Sequence, residues 1–70
     1  MASDRMMEYY YSMGQESVSQ NNLEEAIAYF RKAALLGAME AAHEIGVIAH
    51  RFETGDGVPA DEEKASRYYR

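Results

Sequence analysis

The stretch that decides the fold occurs twice. Ala26-Ile27-Ala28-Tyr29-Phe30-Arg31-Lys32-Ala33 is answered 39 residues later by Ala65-Ser66-Arg67-Tyr68-Tyr69-Arg70. Each copy opens on an alanine and carries an aromatic pair, Tyr29-Phe30 and Tyr68-Tyr69. Ahead of the two copies stand Tyr10-Tyr11-Ser12-Met13-Gly14 and Ala42-His43-Glu44-Ile45-Gly46, whose glycines are 32 residues apart. The difference of seven between the two spacings falls in a glycine-rich loop, 53–60. A period in this range marks stacked helix pairs, because one pair alone cannot bury its apolar face.

Working outward, the spacing predicts four helical segments. The first covers 4–20, with Ser3 or Asp4 as its N-cap and Met6, Met7, Tyr10, Met13, Gly14 and Ser17 recurring at helical period. Asn21-Asn22 breaks it. The second covers 23–36, opened by a capping box of Asn22 and Glu25, with Leu23, Ala26, Ile27, Phe30, Ala33 and Ala34 on one stripe. Gly37 ends it in the left-handed conformation. The third covers 39–52, with a stripe of Ala42, Ile45, Gly46, Ala49 and Phe52. Gly55, Gly57 and Pro59 keep the loop non-helical, and Val58 anchors it. Asp61 caps the fourth segment, which contains Lys64, Ala65, Tyr68 and Tyr69. Its short length leaves the expectation that the natural chain continues. Gly14, Ala26 and Ala33 let the helices of a hairpin approach, while Met13 and Phe30 fill the space toward the next hairpin.

These residues give the sequence a family resemblance. The first hairpin is similar to a tetratricopeptide repeat, with a large apolar residue before Gly14 on one helix and Ala26, Phe30 and Ala33 on the other. The second resembles the Sel-one-like subfamily in Gly55-Asp56-Gly57-Val58, Asp61, Lys64-Ala65 and the pair Tyr68-Tyr69. It departs from that pattern in His50-Arg51-Phe52-Glu53-Thr54, about three residues longer before Gly55, and in Ala49, which stands where an aromatic is usual. Phe52 is expected to take over that role. The resemblance implies an all-α fold of antiparallel helix-turn-helix repeats forming an α-α superhelix. It makes 1–70 one repeat domain, with hairpins 4–37 and 39–70.

Composition limits the chemistry. Seventy residues make one domain at most, and a chain this short without disulfides needs very regular packing or a second copy of itself. A formal charge of −5 disfavours phosphate backbones and anionic membrane surfaces, so neither nucleic acid nor membrane is an expected partner. With no cysteine, a thiolate zinc site is excluded. The same absence fits a reducing, cytoplasmic compartment, and no signal peptide is visible.

No cofactor and no catalytic group are expected. His43 and His50 lie two helical turns apart, ~10 Å along the axis, too far to bind one metal ion directly. Glu24 and Glu25 belong to a helix start, and Glu40, Glu44 and Glu53 to a solvated face. Gly55-Asp56-Gly57 lacks the lysine and strand-to-helix context of a phosphate loop. Tyr11 reads equally as a packed helix residue or as a binding anchor. The tetratricopeptide resemblance places a partner in the groove lined by the first helix of each hairpin. That gives Glu8, Tyr11, Gln15, Val18 and Ser19 from one helix and Glu40, His43, Val47, His50 and Arg51 from the other. The expected function is a non-enzymatic scaffold or adaptor holding a protein or peptide. The alternative is a homo-oligomer built through open hairpin ends.

Overall fold

A computed structural model describes residues 2–69, with side chains from Asp4 onward. Met1 and Arg70, the latter the last residue of the second hairpin read from sequence, lie outside the described residues. The helices are α1 (Ala2–Ser19), α2 (Leu23–Leu35), α3 (Met39–Thr54) and α4 (Glu62–Tyr68), and the described residues contain no strand. Each helix packs chiefly on the next in order, so two antiparallel hairpins stand side by side as an all-α repeat. The radius of gyration is 11.9 Å, against about 11 Å for a compact chain of this length, and the extents of 39 × 24 × 13 Å describe a slab. No helix among the described residues is long and apolar enough to cross a membrane.

Both interhelical turns of the first three helices use the same device. At the end of α1, Asn21 adopts a φ of 58°, its N–H donates to the Val18 carbonyl at 2.9 Å, and the Asn22 N–H donates to Ser17 at 2.8 Å. At the end of α2, Gly37 has a φ of 108°, its N–H donates to Ala34 at 3.0 Å, and the Ala38 N–H donates to Ala33 at 3.0 Å. This pair of bonds satisfies carbonyls that a helix end leaves free, and it requires a positive φ that asparagine and glycine tolerate.

The helix starts differ from the sequence expectation. α1 begins at Ala2, so Ser3 and Asp4 stand within its first turn and not at the N-cap position; Asp4 there complements the positive end of the helix dipole. Asn22 does precede α2, but its side chain accepts no capping bond. Its amide Nδ2 instead donates to Glu25 Oε2 at 2.6 Å, so the reciprocal capping box is not formed. Asp61 caps α4 as expected, accepting from the Lys64 N–H at 3.1 Å.

The three extra residues before Gly55 are absorbed as helix. α3 therefore runs to Thr54, not to Phe52, and the loop occupies 55–61. The Asp61 N–H donates to the Phe52 carbonyl at 2.7 Å, which returns the end of the loop to α3. Val58 packs against the core, as its apolar character in a polar loop predicted.

The core is built from Leu23, Ala26, Ile27, Phe30 and Ala33 of α2, Ala38, then Ala41, Ile48 and Phe52 of α3 and Ala65 of α4. Burying Ile27, Phe30 or Ile48 stabilises the fold by about 1.5–3 kcal/mol each. The α2 stripe is as predicted. The other two stripes are as predicted in part. On α3, Ala49 and Phe52 are buried and Ile45 packs on the core, as expected, while Ala41 and Ile48 are buried in addition and Ala42 is exposed. On α1, Met7, Tyr10, Gly14 and Ser17 face inward as expected and Tyr11 and Val18 join them, while Met6 is exposed and Met13 stays outside the cluster. Phe30 fills space within the first hairpin, not only toward the second: an added Cβ at Gly14 would lie 2.6 Å from its ring. The same probe at Gly46 meets nothing within 4 Å. Tyr69, which corresponds to Phe30 in the repeat, lies just past α4 and is half-exposed.

Candidate functional site

The groove residues occupy two helices that do not pack tightly on each other. Glu8, Tyr11 and Gln15 sit at i, i+3 and i+7 on α1, and Glu40, His43, Val47, His50 and Arg51 follow a similar spacing on α3. The Gly37 turn sets the start of α3 beside the middle of α1. A cleft of about 280 Å³ opens there, lined by Met7, Glu8, Tyr11 and Ser12 of α1 with Ala38 and Glu40 at the head of α3. Glu8, Tyr11 and Glu40 of the predicted set therefore come together, and Gln15 lies one turn beyond Tyr11 on α1, outside the cleft lining.

Tyr11 is a packed helix residue whose hydroxyl end stays at the cleft. Its ring packs on Phe30, with centroids 5.5 Å apart at 57°, and so roots the side chain in the core. Its hydroxyl faces α3. Burial, then the carboxylates of Glu44 and Glu40, push that hydroxyl above its ordinary value of 10.0, against the lowering effect of the nearby Gln15 side chain. The tyrosine is neutral at physiological pH and remains a hydrogen-bonding group at the edge of an apolar floor.

The remaining predicted residues are not part of this cleft. His43 and Val47 are exposed on the same side of α3, one and two turns further on. His50 is exposed, with Nδ1 3.5 Å from Glu53 Oε1. Arg51 is turned toward the glycine-rich loop: its Nε donates to the Asp56 carbonyl at 3.1 Å, and its guanidinium lies across Gly57. It holds the loop, a role the groove spacing did not reveal. Val18 packs on the core and the Ser19 hydroxyl donates back to the Gln15 carbonyl at 3.3 Å, so neither projects freely. Among the described residues, no group of three or more histidine, aspartate or glutamate side chains is placed to hold a metal ion.

Four contributors were missed by the groove assignment: Met7, Ser12, Ala38 and Glu44. Glu44 was findable, since it lies one turn after Glu40 and so shares its side of the helix. Ala38 was not, because it belongs to a turn whose bonding brings it under Tyr11. A second missed feature joins the hairpins. Lys64 of α4 bonds Glu24 of α2, and its Nζ lies 5.5 Å from the centre of the Phe52 ring. The Glu24 bond is the main cause that raises the Lys64 ammonium above its ordinary value.

Against known proteins, the model of the Sel1 repeat matches residues 1–37 and again 40–70. No curated protein and no solved structure matches the chain. Two consecutive matches divide the chain where the Gly37 turn divides the hairpins, and together they span nearly all of it. The chain belongs to the Sel1 repeat family.

Proposed function

We propose that this chain is a scaffold or adaptor module that holds an extended or helical segment of a partner protein along the side shared by α1 and α3. Sel1 repeats mediate protein–protein interaction and do not form an enzyme family. The observation that carries the proposal is the cleft at Tyr11. Its walls come from both hairpins, so it exists only in the stacked fold, and it pairs a core-rooted aromatic with polar groups at the rim. A rigid tyrosine with an apolar ring and a wet hydroxyl is the kind of anchor on which interface energy concentrates.

Affinity capture with mass spectrometry tests this, using the wild-type chain as bait beside two variants of equal helicity. One carries Glu8→Lys, His43→Ala and Val47→Asp in the groove. The other carries Ala28→Lys on the exposed back of α2 and changes the net charge by the same amount. Tyr11 is left intact because its removal would unseat Phe30. A partner held by the wild type and by the Ala28 variant, and lost with the groove variant, supports the proposal. A partner indifferent to the groove changes removes it.

A further inference from the structure

Within the proposed groove, and resting on that reading, we infer that the Tyr11 cleft receives a cationic side chain, lysine or arginine, from an extended partner segment. The cleft has an apolar floor, Met7, Ala38 and the Tyr11 ring, under a rim that carries Glu8, Glu40 and the Ser12 hydroxyl. Glu44 adds a third carboxylate, close enough to disfavour ionisation of Tyr11. No cation lines the cleft. The cations whose contacts are described are engaged elsewhere: Lys64 on Glu24, Arg51 on the loop, Arg31 over the Tyr68 ring and Lys32 over the Tyr10 ring. The N-terminus of α3 does point into this region. It supplies roughly half a positive charge, which three carboxylates outweigh. A long basic side chain matches the site in both parts, because its methylene stem covers apolar surface while its head meets carboxylates and the face of a tyrosine. An acidic or purely apolar side chain matches only one part or neither.

The test uses three end-blocked heptapeptides of glycine and alanine, with a central arginine, norleucine or glutamate, each titrated into the isotope-labelled chain up to about 10 mM. Amide shifts are followed by NMR. The arginine peptide is expected to shift Met7, Glu8, Tyr11 and Glu40 saturably, with the other two at least about tenfold weaker. Raising salt from about 0.05 to 0.5 M should weaken the arginine peptide, because the rim carboxylates are exposed. A variant carrying Glu8→Gln, Glu40→Gln and Glu44→Gln, all surface changes that leave the core intact, should lose the preference. If norleucine shifts the same amides as strongly, the groove stands and cation recognition falls. If shifts appear only away from α1 and α3, both fall. If no peptide shifts any residue, cation recognition falls, and the capture experiment judges the groove separately.

Discussion

Two glycines at matching places in the repeat have opposite roles. Gly14 is buried, and the Cβ of an alanine there would sit 2.6–2.9 Å from three atoms of the Phe30 ring. Phe30 has no exposure and rests on Tyr11, so the ring has nowhere to go. Overpacking of this kind costs about 1–3 kcal/mol, and the better helix propensity of alanine returns about 1 kcal/mol. Gly14→Ala should therefore destabilise the chain by up to about 2 kcal/mol. Gly46→Ala meets open space, so only the propensity term remains, and it should stabilise by about 0.5–1 kcal/mol. Urea unfolding with an unchanged slope reads both; equal effects of one sign would mean the pair is not differentiated as described. Titration offers a second test at this scale. Tyr11 and Lys64 both have folded values raised above their ordinary 10.0 and 10.5. For a raised value the native state holds its proton longer than the unfolded chain does. The associated stability is thus fully present at neutral pH and is lost as pH rises through the folded values. Stability should be level around neutrality and fall above about pH 10, and ultraviolet absorbance should show Tyr11 ionising late, above its ordinary 10.0. Tyr11→Phe should remove that late phase. A Tyr11 that ionises at or below its ordinary 10.0 would contradict its burial.

Among the elements, α4 depends most on its connections. Seven residues are too few to hold a helix in water without support. Its support is the Asp61 cap, the buried Ala65, the Phe52–Tyr68 ring contact at 5.6 Å and the Lys64–Glu24 bond. Asp61→Ala should cost about 1 kcal/mol and appear as faster hydrogen exchange across α4, with α1 and α2 unchanged. Uniform loss across all four helices would show that α4 does not open separately. Much of this architecture was legible in the sequence. Asn22 and Asp61 are 39 residues apart and each stands immediately before the second helix of a hairpin, as the repeat requires. The α2 stripe was also correct, because α2 is covered on its apolar side by both neighbours and every apolar residue of the stripe counts. On α3, Ala49 and Phe52 were legible too, but the choice at the head of the helix was not. Ala41 and Ala42 are chemically identical neighbours, and periodicity alone fixes a face only to within about one residue, or 100°. Packing against α2 decided for Ala41. At the candidate site, Glu8, Tyr11 and Glu40 were named through the tetratricopeptide resemblance, and the fold brings these three to one cleft. The loop-bound Arg51 was misassigned to free groove surface, since its bond depends on where residues 55–61 go, and no helical period encodes that.

At the scale of the whole molecule, the repeat can be compared with itself to ask what its ends would accept. Between the hairpins, α2 presents Leu23 and Ile27, both buried, with Leu23 bordering the cleft formed by Phe52, Val58 and Pro59. The same positions on α4, 39 residues later, are Glu62 and Ser66, both exposed beside Glu53. On the receiving side, α3 offers Ala41 and Ile48, both buried, and the positions 32 residues earlier on α1 are Tyr9 and Glu16, both exposed. A second copy stacked head to tail in the manner of the two hairpins would bring Glu16 toward Glu62 and Ser66, where Ile48 meets an apolar surface. Burying carboxylates without a cation between them costs several kcal/mol, more than the exposed Tyr9 can offset. Growth of the superhelix by self-stacking is therefore disfavoured by the end faces, although the short chain invites it. The chain should sediment as a monomer up to about 100 μM, far above the concentration at which a stable dimer forms. The combined variant Glu16→Ile, Glu62→Leu and Ser66→Ile restores the apolar pattern of the internal junction at both ends. It should associate with a weight-average mass that rises with concentration and does not stop at two copies, because head-to-tail contacts do not close on themselves. Changing only one end should not suffice, since the other carboxylate would still be buried. A wild-type chain that dimerises at low micromolar concentration, or a single-end variant that polymerises, would show that these glutamates do not govern the ends.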